Sequence, residues 1–135
     1  MNKTKLKTSL FIVSSFLIPA IMMFFIYLSQ GIYWNSDTSP LLGDGYHQYV
    51  IFDTTLRNIL HGTDSLFYSF QSGLGINFYA LSSYYLGSFF SPLVFFFNAQ
   101  SMPNAVYLIT LLKFGAIGLS TYISLHGMFS KIPRS

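Results

Sequence analysis

Leu10-Phe11-Ile12-Val13-Ser14-Ser15-Phe16-Leu17-Ile18-Pro19-Ala20-Ile21-Met22-Met23-Phe24-Phe25-Ile26-Tyr27-Leu28 contains no charged residue, and this run decides the class of fold. At 1.5 Å per residue, about 20 helical residues cross a hydrocarbon core roughly 30 Å thick. Lys3, Lys5 and Lys7 stand directly before it. Basic residues beside a span mark the cytoplasmic side. A secretory signal is the competing reading, because it too begins with a basic segment. Its apolar region would be shorter, and Leu28-Ser29-Gln30-Gly31 supplies no small-x-small cleavage site. The run therefore reads as an uncleaved anchor, with residues 1–9 as a cytoplasmic basic N-terminus and 10–29 as a first transmembrane helix that Pro19 can kink.

Composition points the same way. Only 8% of residues are charged while 52% are hydrophobic and 19% aromatic, too little charge to cover a water-facing surface. The net charge of +3 comes from the N-terminal lysines rather than from a basic patch, so nucleic acid is excluded as a partner and the lipid bilayer is implied. Cysteine is absent, which removes disulfides and thiolate chemistry. Glutamate is absent as well, and the four acidic residues, Asp37, Asp44, Asp53 and Asp64, share one interval between apolar segments. That distribution suggests a single polar site.

Working outward, residues 30–77 form an extracytoplasmic loop. Asn35-Ser36-Asp37, Ser39-Pro40 and Gly43-Asp44-Gly45 are turn formers. From Tyr46 to Leu60 the pattern becomes helical, with Tyr49, Phe52, Leu56, Ile59 and Leu60 on one stripe. An amphipathic helix over 46–60, lying on the membrane surface and stopped by Gly62, is expected. A second span is expected at 78–97, with Tyr79, Tyr84 and Tyr85 as an interfacial belt. A short cytoplasmic turn at 98–104 then leads to a third span at 105–126 and a tail at 127–135. The predicted fold is thus an all-α membrane protein with about three transmembrane helices and one amphipathic external helix. Lys131 and Arg134 sit awkwardly in it, since three spans put the tail outside and basic residues prefer the inside.

Asp44 is the sharpest chemical candidate. Glycines on both sides free the backbone and let a ligand approach closely. A carboxylate at the outer boundary could deprotonate an acceptor hydroxyl, or hold a divalent cation against a lipid-linked phosphate. The local pattern alone reads more readily as a turn. His47 could join Asp44 on a metal, but two ligands fall short of the usual three or four, so the metal requirement is open. Gln48 can donate to and accept from a sugar hydroxyl or phosphate. Arg57 could fork onto a phosphate, or simply rest among anionic headgroups. Lys113 lies well inside the third run, where a charge is costly and marks a functional position by default; snorkelling is the alternative. Gln71-Ser72-Gly73-Leu74-Gly75 lacks the spacing and the Lys-Ser/Thr of a phosphate-binding loop. His61 and His126 lie beside glycines at helix ends, where capping suffices, and no serine stands in a nucleophile elbow.

Gly43-Asp44-Gly45-Tyr46-His47-Gln48-Tyr49, Leu56-Arg57, Tyr68-Ser69, Gly73-Leu74-Gly75-Ile76-Asn77 and Ser91-Pro92, in that order, resemble the N-terminal region of the YfhO family of bacterial membrane proteins. That family in turn resembles the GT-C class of polytopic glycosyltransferases. The resemblance implies transfer of a sugar from a polyprenyl-phosphate donor to an envelope polymer of the teichoic acid type, on the outer face of the cell membrane. It implies that Asp44 is the catalytic or metal-associated acid. It also implies that the external helix is juxtamembrane and that Lys113 faces the substrate cavity. Members of the family have many more spans, so the chain reads as an N-terminal piece, inactive alone or completed by the remaining spans of a split protein. A small non-enzymatic membrane subunit is one alternative. A transporter fragment with Lys113 lining its path is another.

Overall fold

The computed structural model describes residues 3–38, 41, 48–70, 75, 77–81, 83 and 86–129. Four α-helices occur among them: α1 (Lys3–Ser29), α2 (Val50–Leu60), α3 (Phe78–Leu81) and α4 (Met102–Phe129). Two 3₁₀ segments, Ser91–Phe96 and Ala99–Ser101, precede α4, and no strand is present among the described residues. The all-α class is therefore observed. The chain divides into two compact units, one of Met1–Gln30 with Thr110–Ser135 and the other of Gly31–Ile109.

The first unit is built on α1 and the greater part of α4, which among the described residues are the two helices long and apolar enough to cross a membrane. Their large side chains point outward: Phe25 is 60% exposed and Ile117 likewise 60%. Contact between the helices is made by small residues. A side chain on Gly118 would run into the Ser15 carbonyl oxygen and the Pro19 ring, and one on Gly115 would run into the Phe16 ring. Pro19 lacks the N–H that would otherwise bond Ser15 from within the helix, so that carbonyl is freed at the place where the Gly118 backbone comes close. An apolar groove of about 130 Å³ lies beside this crossing, between Pro19, Met22, Met23, Ile26 and Phe114.

The second unit hides its apolar residues instead. One cluster joins Val94, Met102, Ala105 and Ile109, with Val50, Leu56, Phe90, Leu93 and Phe97 against it. Another joins Phe52, Phe78 and Leu86, with Leu56, Ile59, Leu66 and Leu81 against it. Leu56 of α2 touches both. Each large side chain so enclosed stabilises the unit by about 2 kcal/mol. The C-terminus of α2 closes on Gly62, whose φ of +75° is cheap only for glycine. Gly62 N–H donates to the Ile59 carbonyl at 2.9 Å and Thr63 N–H to the Asn58 carbonyl at 2.9 Å, a Schellman closure.

Two expectations change here. The stretch 78–97 is not one continuous helix: α3 ends at Leu81, residues 87–90 are irregular, and Ser91–Phe96 is 3₁₀. The causes are local. Asn77 accepts from the Tyr79 N–H and starts α3. Gly87 is non-helical, Ser88 accepts from the Phe90 N–H, and Pro92 begins a fresh segment. Irregular backbone of this kind is not tolerated against lipid in the hydrocarbon core, because each unmatched polar group there costs several kcal/mol. The second difference concerns α2. Phe52 is buried and Leu56 and Ile59 pack on the unit's own clusters, leaving Tyr49 and Leu60 as the exposed members of the stripe. The apolar face assigned to the membrane surface is mostly covered by the 3₁₀ segment and its neighbours, a partner that periodicity cannot reveal.

Candidate functional site

The candidate residues fall on three places. Asp44 and His47 lie outside the described residues. Gln48 and Arg57 belong to α2 and the turn before it, and Lys113 belongs to α4.

Gln48 is half-buried, with partners of its own, in a π-type turn with Tyr49 that leads directly into Val50. Arg57 is half-buried too, and two of its N–H groups are engaged. Its Nε donates to the carbonyl oxygen of Phe97, and one Nη donates to Asn58 Oδ1 at 3.1 Å. Phe97 caps the C-terminus of the 3₁₀ segment Ser91–Phe96. A guanidinium there satisfies a terminal carbonyl and meets the negative end of the segment's dipole. The chain then turns at Asn98, which forms a capping box with Ser101: Ser101 N–H donates to Asn98 Oδ1 at 2.8 Å, and Asn98 N–H to Ser101 Oγ at 3.1 Å. Arg57 thus holds α2 to the joint from which α4 departs.

His61 completes the same corner. Its Nδ1 lies 2.8 Å from the Arg57 carbonyl oxygen, and its ring stacks on Phe95 with centroids 4.3 Å apart. A carbonyl can only accept, so Nδ1 is the donor in this contact. On the other flank of the joint, Asn35 has a positive φ of 60°. Its N–H donates to Asn104 Oδ1 at 3.0 Å, and the Asn104 amide donates back to Asn35 Oδ1. Trp34 sits beside this pair, with ring centroids 6.1 Å from Phe97 and 6.4 Å from Tyr107. The start of α4 is therefore gripped from two sides.

Asp53 is the carboxylate that sequence reasoning passed over. It is buried at 7% exposure on α2 and is not without a partner. A charge so enclosed is costly unless it is paired. Periodicity gave no sign of this burial. Among the described residues no buried side-chain nitrogen or oxygen lacks a hydrogen bond, and no group of three metal-ligating side chains is assembled.

Lys113 is exposed and lies on α4. Met102, Ala105, Tyr107 and Ile109, in the first two turns of α4, are buried in the second unit. What remains, 110–129, is about 30 Å long, the thickness of a hydrocarbon core. Lys113 is three residues from the start of that stretch, about 5 Å along the axis. A lysine stem covers such a distance, so the ammonium can reach the headgroups. The gripped joint and Lys113 belong to different units, and the described residues bring together only Arg57, His61 and the 97–98 turn.

No curated protein and no solved structure matches this chain. A family model does match, described as bacterial membrane protein YfhO, over residues 14–135. Nearly the whole chain is covered, from the middle of α1 through the second unit and all of α4, and it belongs to the family of bacterial membrane protein YfhO.

Proposed function

We propose that this chain carries the acid-bearing external segment of a GT-C-like glycosyltransferase. In this reading it acts in transfer of a sugar from a polyprenyl phosphate to an envelope polymer of the teichoic acid type. The observation that carries the reading is the arrangement of the family region: a folded helical unit of 31–109 flanked in sequence by two apolar helices of spanning length. Such a unit is anchored at both ends and is kept within reach of a lipid-linked phosphate.

We read α1 and the 110–129 part of α4 as two spans, with the unit between them outside. Two spans return the tail to the side of the N-terminus. Lys131 and Arg134 then share the cytoplasmic side with Lys3, Lys5 and Lys7, and the conflict raised by three spans disappears. Asp44 acts as general base toward the acceptor hydroxyl or as a ligand to a divalent cation on the donor phosphate. His47 and Gln48 follow it toward α2 and contact the substrate. Lys113 offers its ammonium at headgroup depth. Arg57 supports the site by fixing α2 to the 97–98 turn, with the remainder of its fork available to a phosphate oxygen.

The test is Asp44→Asn in the full-length protein in cells, read as incorporation of labelled sugar into the envelope polymer. A loss of about 100-fold or more is expected from removal of a general base. Incorporation at the unsubstituted rate, with equal protein in the membrane, would remove Asp44 from the chemistry.

A further inference from the structure

We propose that the 31–109 unit meets the bilayer through a set of exposed aromatic side chains, Phe67, Phe70, Tyr79, Phe89 and Phe96, which embed in the interfacial layer of the outer leaflet. This is a different surface from the apolar stripe of α2. It rests on the two-span arrangement and is independent of the proposed chemistry.

The first observation is exposure. Phe89 is 93% exposed, Phe96 78%, Phe70 76%, Phe67 69% and Tyr79 58%, although the unit has an apolar core in which Phe52 and Phe78 are enclosed. These rings are thus left outside the core. They come from two segments. Phe67 and Tyr79 approach one another, with ring centroids 6.5 Å apart, while Phe89 and Phe96 flank the 3₁₀ segment Ser91–Phe96.

The second observation is charge. Between Asp64 and Lys113 the sequence contains no Asp, Glu, Lys, Arg or His. A water-facing surface is roughly a quarter charged, and protein interfaces that form from water carry a polar rim. A stretch that combines exposed Phe and Tyr with no charge has the chemistry of the membrane–water boundary, where aromatic rings bury their apolar part and backbone polar groups still reach water. This also accounts for the irregular backbone at 87–90, which the interface tolerates and the hydrocarbon core does not.

The third observation is tethering. Gly31 follows α1 within two residues, and Ile109 passes without a break into the spanning part of α4. Both ends of the unit are therefore fixed at the bilayer surface, so lipid is the partner continuously present beside it. The exposed Tyr33 and Trp34, immediately after α1, extend the same aromatic chemistry to the tether.

The chain has no cysteine, which makes site-directed spin labelling direct. Phe70→Cys, Phe89→Cys and Phe96→Cys are labelled with a nitroxide in the full chain, reconstituted in phosphatidylethanolamine–phosphatidylglycerol vesicles. Collision with oxygen is compared with collision with a water-soluble nickel chelate. Asp37→Cys serves as the aqueous reference and Ile18→Cys as the deep one. These variants alter exposed positions and leave both core clusters intact. The proposal expects oxygen-to-nickel ratios at 70, 89 and 96 at least threefold above that of Asp37→Cys and well below that of Ile18→Cys. Ratios equal to the aqueous reference would overturn the lipid contact and leave the two spans standing. A ratio at 89 as high as at 18 would overturn both, since 78–97 would then cross. Protection from both reagents would show that protein covers the rings, and would also overturn the proposal.

Discussion

Phe25 in α1 and Phe78 at the start of α3 are the same residue in equally apolar sequence, yet one is 60% exposed and the other 1%. The difference runs through the two units to which they belong. In the first, straight helices turn their bulk outward and touch each other through glycine and proline. In the second, short helices and 3₁₀ turns gather side chains from 50 to 109 around Leu56, Phe78 and Met102. Hydrophobicity alone does not say which will happen. Where every backbone group is satisfied within one long helix, apolar side chains can face lipid; where Gly87, Ser88, Ser91 and Pro92 break the helix, the chain has to fold on itself. The contrast explains why a protein so poor in charge still contains a unit with a packed core.

The largest expected effect sets those two phenylalanines against each other. Phe78→Ala should destabilise the 31–109 unit by about 4 kcal/mol, the cost of an emptied core site. Phe25→Ala, facing out, should change the unfolding midpoint little. Denaturant titration in detergent, followed by Trp34 fluorescence, measures both. Equal losses at the two positions would erase the distinction between the units.

Next comes the contact of the spanning helices. Gly118→Leu should cost about 2 kcal/mol through overpacking against the Ser15 carbonyl and Pro19. Gly127→Leu, where nothing lies within 4 Å, should be neutral. Thermal aggregation of the purified protein in detergent compares the pair, and an equal response would mean that the crossing contributes nothing.

Smaller effects probe the joint at 97–98. Arg57→Lys keeps the charge but loses the fork that reaches both Phe97 and Asn58, and should cost about 1.5 kcal/mol in the same titration. If Arg57 acts only on a phosphate, stability will not move. Asn104→Ala removes the reciprocal pair with Asn35 and should cost about 1 kcal/mol, seen mainly as faster amide exchange at 33–38. Protection unchanged there would mean that Trp34 alone holds that strap.

The class of fold was legible in the sequence because it depends on a property of single segments: Leu10–Leu28 has the length and the lack of charge that a span requires. The form of 78–97 was not, because an apolar count reaches spanning length whether or not the helix continues, and breaks at Gly87 and Pro92 can be accommodated in some spans. The stripe on α2 could be found from its period of 3.6, but what covers it could not, since its partner lies some 40 residues on. The same holds for the burial of Asp53. That the first two turns of α4 serve the core of the other unit was hidden for the same reason. Asp44 and His47 lie outside the described residues, and the Asp44→Asn assay addresses the first of them.

The central claim is that α1 and α4 are the spans and that 78–97 stays outside. Fusing a reporter that is active only in the cytoplasm after Ser135, and in parallel one that is active only outside, reads this directly. Two spans predict signal from the cytoplasmic reporter alone, with the tail on the same side as Lys3, Lys5 and Lys7. Signal from the external reporter alone would mean an odd number of crossings and would contradict the account.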